Sequence, residues 1–374
     1  MGDLRTKVEE RRVDSCVKDG EQPLVSVIMP VYCVEPYVGA AIQSVRDQAY
    51  DNWELICVVN GCPDGSSAIC MEYVVLDQRI TVVQTHNAGV GAARNRGITF
   101  ARGSYIYFLD SDDMLAPDTL KTCVQAAQRN NADAVQFEAR VLVEDGRIHR
   151  ASQYMRSRSY EGVWNGADLY LRQMHDKCYF APVWLYLTRT SLCFGQGVLF
   201  SEGVIHEDEY ATYAMLMRAQ RVVCLRDKLL IRRYRPNSIM TKRNWRASTR
   251  GYFVAYATVF GKGECGSGGC VAARQLFLER QSRSCVKSFY RTGLPLREFE
   301  AVVCAQQNEQ AALQSLLSSR WLNPRWFAVL RMAFRAKVRM SEAKTYVESL
   351  LGSSSIAQQH DEREQEVSEG SVTI

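Results

Sequence analysis

Three carboxylates crowd into four residues at Asp110-Ser111-Asp112-Asp113, directly after the apolar run 105–109. Neighbouring carboxylates repel one another, so such a cluster is costly unless a cation lies among them. Hard oxygen ligands on a short loop suit Mg²⁺ or Mn²⁺, which usually also contact the phosphates of a substrate. The alternative is a solvated acidic cap on the helix that follows.

A glycine-rich segment at 87–97 is the second feature with chemical potential. It contains Asn87, Gly91 and Arg94. Glycine lets the backbone approach a ligand, and the free N–H groups at the start of a helix attract anions such as phosphate. Arg94 adds a positive charge that suits a phosphate or a base edge. A tight turn without a ligand is the alternative.

Alternating strands and helices would position these two loops. Apolar, β-branched runs predict five strands, at 25–32, 53–59, 80–84, 105–109 and 134–138, with helical spacing at 35–48, 66–76, 92–101 and 117–129. This alternation indicates a mainly parallel sheet. The strands lack polar–apolar alternation, as expected when helices cover both faces. Because ligands bind beyond the carboxyl ends of such strands, both loops should open on the same edge.

Four motifs occur in order, each after a predicted strand. They are Pro30-Val31-Tyr32, the Asn-Gly-Cys-Pro-Asp-Gly-Ser segment 60–66, the segment 87–97, and 108–113. Together they resemble the nucleotide-sugar-binding half of family 2 glycosyltransferases of the bacterial surface-polysaccharide type. The resemblance covers residues 24–240. It implies an α/β fold of GT-A type, Rossmann-like with a mainly parallel central sheet flanked by helices, followed by a helical C-terminal extension.

The resemblance also implies roles for matching residues. Tyr32 would lie near the nucleotide base, and Arg94 would reach toward it. Asp110 would bind the ribose, and Asp112 would bind a divalent cation, Mn²⁺ or Mg²⁺, with Asp110 as the second metal residue. The nucleotide-sugar site implied in this way comprises Pro30, Tyr32, Asn60, Asp64, Asn87, Gly91, Arg94, Asp110, Ser111, Asp112 and Asp113.

Three residues depart from the family pattern. Cys33 stands where Asn is typical, Cys62 where Ser is typical, and Asn60 where an Asp usually hydrogen-bonds uracil. Asn60 keeps the capacity to donate and accept but lacks the charge. These departures bear on the identity of the base more than on the fold.

Transfer of a sugar to a hydroxyl needs a general base for the acceptor and a cation for the leaving nucleoside diphosphate. The pair Glu207-Asp208 precedes a predicted helix that starts near Tyr210. It resembles the acceptor-site motif of the family, which implies Asp208 as the base and Glu207 as its acidic neighbour. The alternative is a negatively charged first helical turn.

The whole chain has the composition of a soluble globular enzyme, with 374 residues, 47% hydrophobic and 23% charged. A net charge of +5 is mild, so we expect no nucleic-acid partner. We expect no membrane span and no signal peptide, because no apolar run approaches ~18 residues and the N-terminus is charged throughout. The 13 cysteines therefore predict reduced thiols in a cytoplasmic protein.

The domain organisation predicted from composition has four parts: a charged tail at 1–22, a GT-A catalytic domain at 23–240, a helical region at 241–352, and a disordered acidic tail at 353–374. Within the helical region, the segment 320–339 carries six basic residues and no acid. Its amphipathic pattern, with Trp and Phe on the apolar face, predicts contact with the anionic inner face of the cell membrane. Docking of that face on the catalytic domain is the alternative.

The main functional interpretation is an inverting, family 2 hexosyl- or N-acetylhexosaminyltransferase. It would move a sugar from a nucleotide-diphosphate sugar, expected to be a UDP-sugar, to a saccharide or lipid-linked saccharide acceptor in polysaccharide biosynthesis. Two alternatives stay open: a non-catalytic nucleotide-sugar-binding protein, which the altered residues favour, and a nucleotidyltransferase. The last class usually shows a glycine-rich basic signature near the first strand, and residues 25–36 have none.

Overall fold

A computed structural model describes residues 22–143, 154–193, 199–235, 238, 244–262, 268–319 and 322. Three predicted segments lie outside these residues: the N-terminal tail apart from Gln22, the basic segment 320–339 apart from Leu322, and the acidic tail 353–374. The description below concerns the sheet, the helices around it and the first part of the C-terminal helical region.

The strands and helices follow one another along the chain. The strands are β1 (Val25–Val31), β2 (Trp53–Asn60), β3 (Ile80–Thr85), β4 (Tyr105–Phe108), β5 (Met114–Leu115), β6 (Ala134–Val143), β7 (Val163–Trp164), β8 (Tyr186–Arg189) and β9 (Val222–Tyr234). The α-helices are α1 (Glu35–Arg46), α2 (Ser66–Leu76), α3 (Val90–Phe100), α4 (Thr119–Arg129), α5 (Gly166–His175), α6 (Thr190–Cys193), α7 (Glu207–Arg218), α8 (Trp245–Gly261), α9 (Gly268–Thr292), α10 (Phe299–Val303) and α11 (Gln310–Leu317).

The strands form one sheet with the order β3-β2-β1-β4-β8-β6-β9-β5, and β7 lies beside β9. β1 pairs in parallel with β2 and β4, β2 with β3, and β6 with β9. β8 runs antiparallel to both β4 and β6. The predicted GT-A-type α/β fold is confirmed, with a sheet that is mixed: its first four strands are parallel, and antiparallel pairing begins at β8.

Burial explains why the first strands lack alternation. Every residue of β1 and of β2 is buried, and α3 packs against both strands. Covered on both faces, these strands need apolar side chains in both directions. β3 is exposed at Thr81 and Gln84 and forms one end of the strand order.

The structure differs from the sequence predictions at several elements after residue 144. The helix predicted from near Tyr210 begins three residues earlier, at Glu207, so the whole acidic triplet lies in its first turn. Negative charge there is favoured by the helix dipole. The short strand β8 and the helix α5 were not predicted, because neither shows a long enough periodic pattern in its own sequence.

The C-terminal helices α8 and α9 share a hydrophobic core with the sheet. Ala255, Val259, Ala273 and Phe277 belong to the same hydrophobic cluster as the strands. A second cluster around Phe253, Phe289 and Phe299 holds α8 to α11 together. α8 also packs against α7, which places the helical region directly behind the predicted acceptor-site motif. None of the helices described here is both long and apolar enough to cross a membrane.

Candidate active site

The carboxyl ends of β1, β2 and β4 bring the predicted motifs to one edge of the sheet. Tyr32 follows β1, Asn60 ends β2, and Asp110 comes two residues after β4. The parallel pairing of these three strands makes the arrangement a consequence of topology. The glycine-rich segment after β3 opens on the same edge.

Arg94 lies at the centre of this edge. It is on α3, only 4% of it is exposed, and its Nη2 donates to Asp110 Oδ1 at 2.7 Å. Its Nη1 donates to Glu207 Oε1. One guanidinium therefore joins the acidic loop to the predicted acceptor-site motif, 113 residues away in sequence. The resemblance implied a contact toward the base, whereas the side chain in this structure is engaged by two carboxylates.

The acidic triplet at the start of α7 has a distinctive pattern of partners. Glu207 is paired with Arg94, and Glu209 is paired with Arg280 of α9. The carboxylate of Asp208, between them, makes no hydrogen bond within the described part of the chain. Asp208 is half-buried, whereas both neighbours are buried. The middle residue is thus the one with a carboxylate free to accept a proton.

Burial raises the pKa of Asp208 to about 8, and the negative charges of Glu207 and Glu209 add to the effect. The positive charge of Arg94 opposes this shift, and Asp110 reinforces it. These charges act on Asp208 because the acidic loop and the first turn of α7 face each other. A carboxylate with a pKa near physiological pH suits general base chemistry.

Asp113 has a structural place in the acidic loop. Its Oδ1 accepts the backbone N–H of Arg233 at 2.8 Å, which ties the loop to β9. Its Oδ2 is buried with no hydrogen-bond partner among the described residues, and burial raises the pKa of Asp113 well above its usual range. Ser111 is also buried. These two predicted binding residues therefore shape the loop from inside the protein.

Asp112 points toward a second arginine. Its Oδ2 accepts a hydrogen bond from Arg235 Nε at 2.7 Å, just after β9 ends. Burial raises the pKa of Asp112, as does the charge of Asp110, while Arg235 and Arg232 lower it. Arg235 belongs to a basic turn that follows β9. The structure brings it to the acidic loop.

The carboxylates of the acidic loop fit a divalent cation that is also coordinated by a substrate. Asp110 and Asp112 offer hard carboxylate oxygens, and each has an oxygen not used in its arginine pair. No group of three or more metal-ligating side chains occurs within the described ranges. Two carboxylates alone leave most of the coordination sphere of Mg²⁺ or Mn²⁺ to water and phosphate oxygens, the usual arrangement for these ions.

Asn60 and Asn87 organise the glycine-rich turn. Asn60 accepts the N–H of Ala88 at 3.3 Å and donates to the carbonyl of Gly89 at 3.3 Å and to Asn87 Oδ1 at 3.4 Å. Gly91 faces the backbone of Ser201, where a Cβ would overlap the carbonyl oxygen. The glycine thus permits a close approach within the chain, between α3 and the segment before α7.

Asp64 and Pro30 also lie near the carboxyl ends of the parallel strands. Asp64 Oδ2 accepts the N–H of Glu35 at 3.1 Å and Oδ1 accepts that of Ser66 at 3.3 Å, which fixes the turns before α1 and α2. Pro30 is buried in β1, two residues beyond the last residue paired with β4. There it interrupts no hydrogen bond to that strand. Tyr32 is 46% exposed and is the most accessible of the predicted binding residues near β1.

Sequence reasoning missed two contributors to the site. Arg280 lies 71 residues from Glu209, and nothing in its local sequence marks it. Tyr154 accepts a hydrogen bond from Arg232 at 2.6 Å and packs edge-on against Trp184 at 4.7 Å. Trp184 is 4% exposed and belongs to the core.

The profile of Glycosyl transferase family 2 matches residues 26–187. EpsJ of Bacillus subtilis (strain 168), named an uncharacterized glycosyltransferase, is 34% identical over 58% of this chain and 63% of its own length. TuaG of the same organism, named a putative teichuronic acid biosynthesis glycosyltransferase, is 42% identical over 27% of this chain and 40% of its own. The aligned part spans less than two thirds of each relative.

Solved structures share the fold. TarS of S. aureus in complex with UDP-GlcNAc superposes with a TM-score of 0.56 at 20% identity, covering 75% of this chain and 83% of that chain. The mannosyltransferase PcManGT of Pyrobaculum calidifontis, in complex with GDP-Man and Mn²⁺, gives 0.53 at 15% identity, with 89% and 94% covered. Residues 26–187 thus match glycosyl transferase family 2, and the likeness to these solved structures shows the GT-A fold.

Proposed function

We propose that the chain is an inverting glycosyltransferase that moves a hexosyl or N-acetylhexosaminyl group from a nucleoside diphosphate sugar to a saccharide hydroxyl. The observation that carries the proposal is the acidic triplet of α7, in which two acids are paired with arginines and Asp208 keeps a free carboxylate. Arg94 links this turn to the acidic loop, which supports a proposed base beside the proposed donor site.

In the proposed reaction, Asp208 accepts the proton of the acceptor hydroxyl as the oxygen attacks C1 of the sugar. The bond from C1 to the diphosphate oxygen breaks on the opposite face, which inverts the configuration. Asp110 and Asp112 would hold Mn²⁺ or Mg²⁺, whose charge stabilises the leaving diphosphate when bound. Arg94 pairs with both Glu207 and Asp110, which fixes these two carboxylates relative to each other.

Related proteins and structural neighbours support the class of substrate. TarS binds UDP-GlcNAc and PcManGT binds GDP-Man with Mn²⁺, so a UDP-sugar with Mn²⁺ is the first donor to test. TuaG is named for teichuronic acid biosynthesis, which supports a saccharide or lipid-linked saccharide acceptor in surface polysaccharide assembly. We propose action in the cytoplasm, peripheral to the inner face of the membrane, through the segment 320–339.

A donor panel tests the proposal. UDP-, GDP- and dTDP-sugars are each incubated with the full chain and Mn²⁺ or Mg²⁺, and release of the nucleoside diphosphate is measured with and without chelator. We expect one nucleotide class to be turned over in a cation-dependent way, and Asp208→Asn to abolish that turnover while retaining donor binding. Donor binding without turnover by the unaltered chain, across acceptors, would instead support the nucleotide-sugar-binding alternative that Cys33, Asn60 and Cys62 raise.

A further inference from the structure

Residues of α8 and α9 contact the first turn of α7 and the residue that precedes it. Arg280 of α9 donates through Nη2 to Glu209 Oε1 at 3.0 Å and through Nη1 to Oε2, and Gln281 donates to the same Oε2 at 3.0 Å. His206, the residue before the helix, contacts Ser248 Oγ at 3.1 Å and stacks on Tyr252 of α8 at 4.2 Å. These contacts come from residues beyond the family 2 match, which ends at 187.

The backbone just before α7 is also constrained by contacts with the helical region. His206 has a φ of 64°, a left-handed conformation that non-glycine residues seldom adopt and that surrounding contacts must maintain. Gly251 of α8 faces the carbonyl oxygen of Ile205, and a Cβ at that position would overlap it. The helical region therefore fixes where α7 begins and how its first turn is oriented.

Charge balance gives Arg280 a specific part in this arrangement. Glu207, Asp208 and Glu209 are three consecutive acids, and both outer residues are buried. Arg94 neutralises Glu207 from the sheet side, and Arg280 neutralises Glu209 from the helical side. Without Arg280, the buried charge of Glu209 would lose its cation and would repel Asp208 or turn toward solvent. Either change would move the carboxylate of Asp208.

We propose that Arg280 is a positioning residue for the transfer reaction, through which α9 supports the proposed base. By binding both oxygens of Glu209, it anchors the turn that presents Asp208 to the acceptor. The inference rests on the proposed function. It assigns Arg280 no contact with the donor, because its partners are Glu209 and the ring of Tyr179 at 5.2 Å.

The experiment compares Arg280→Met with a matched control, Arg250→Met, in the full chain. Arg250 of α8 forms the same kind of two-bond pair with Glu309, and this pair includes no residue of α7. For Arg280→Met we expect kcat to fall by about tenfold to a hundredfold, the scale of a small misplacement of a reacting group. The KM for the donor should stay at the wild-type value. Arg250→Met should leave kcat unchanged even if it lowers the melting temperature.

Two further variants separate positioning from general loss of packing. Arg280→Lys keeps the charge and one hydrogen bond, so it should recover part of the lost kcat. The double variant Arg280→Met/Glu209→Gln removes both charges of the pair, and we expect it to transfer faster than Arg280→Met alone. This pair of measurements remains informative if Arg280→Met folds poorly, because the double variant contains no unpaired buried charge.

The outcomes distinguish this inference from the proposed function. If the wild-type chain turns over a donor and Arg280→Met behaves like Arg250→Met, the positioning role is wrong while the function stands. The role is also wrong if the KM for the donor rises while kcat is unchanged, or if the double variant is no faster than Arg280→Met. If the wild-type chain turns over none of the UDP-, GDP- or dTDP-sugars with Mn²⁺ or Mg²⁺, the proposed function itself fails.

Discussion

The pH dependence of sugar transfer should report the environment of Asp208. A general base works only when it is deprotonated, so we expect the rate to rise with pH along a limb set by this carboxylate. The ordinary pKa of such a group is 3.8, and its surroundings raise it to about 8. The rise comes first from burial and then from the charges of Glu207 and Glu209.

The size of the effect follows from the fraction of Asp208 that is ionised. With a pKa of about 8, roughly one molecule in a hundred is deprotonated at pH 6, one in ten at pH 7, and half at pH 8. The rate should therefore increase about fiftyfold between pH 6 and pH 8 if no cation acts on the group. A bound divalent cation places positive charge near the acidic loop and favours the carboxylate form, so with Mn²⁺ or Mg²⁺ the limb should lie at or below pH 8.

The assay is kcat measured from pH 5.5 to 9.5 with saturating donor and Mg²⁺, in wild type and two variants. Asp208→Asn preserves size and removes basicity, so kcat should fall by about a hundredfold or more and the limb should disappear. Glu207→Gln should cost less activity. Its limb should shift to lower pH, because a negative charge that raises the pKa of Asp208 is removed and Arg94 remains.

Two results would refute the reasoning. A limb that persists unchanged in Asp208→Asn would assign the titration to another group, and a dead Glu207→Gln beside a nearly normal Asp208→Asn would reverse the two roles. The pH dependence of folding stability gives an independent check on the direction of the pKa shift of Asp208. Because the folded-state pKa of Asp208 is raised, its cost to folding grows as pH rises from about 4 toward 8, so Asp208→Asn should be more stable than wild type at pH 8.

Further predictions concern the cation, the packing of α8 and the basic segment. Asp112→Asn should stay folded and weaken Mn²⁺-dependent binding of UDP-GlcNAc in calorimetry by at least about tenfold, a typical cost of disturbing a metal site; normal turnover in excess chelator would contradict the metal assignment. Gly251→Ala should lower the free energy of unfolding in urea by about 1–3 kcal/mol, because its Cβ overlaps the Ile205 carbonyl. Gly261→Ala, with nothing within 4 Å, should not have this effect. Charge reversal at Arg331 and Arg335 should release the chain from anionic vesicles, since each basic contact contributes ~1 kcal/mol. If the wild type and this variant bind the vesicles equally, the result would favour docking of the segment on the catalytic domain.

The sequence by itself determined the parts of this protein that depend on local pattern. Buried runs with no alternation specified β1 and β2, because a strand covered on both faces needs apolar residues at every position. The acidic loop was recognisable for a similar reason, since carboxylates clustered after such a strand have few structural uses. The same local reasoning placed the start of α7 three residues late and missed β8, where the pattern is short.

Only the tertiary structure decided which charged groups act on one another. Arg94 pairs with Glu207 across 113 residues, and Arg280 pairs with Glu209 across 71, so neither contact leaves a mark in the local sequence. Among the acids of the two motifs, packing determined that Asp113 serves the loop from inside while Asp208 keeps a free carboxylate. Burial and charge pairing depend on how distant elements pack, and the reactivity of a carboxylate depends on both.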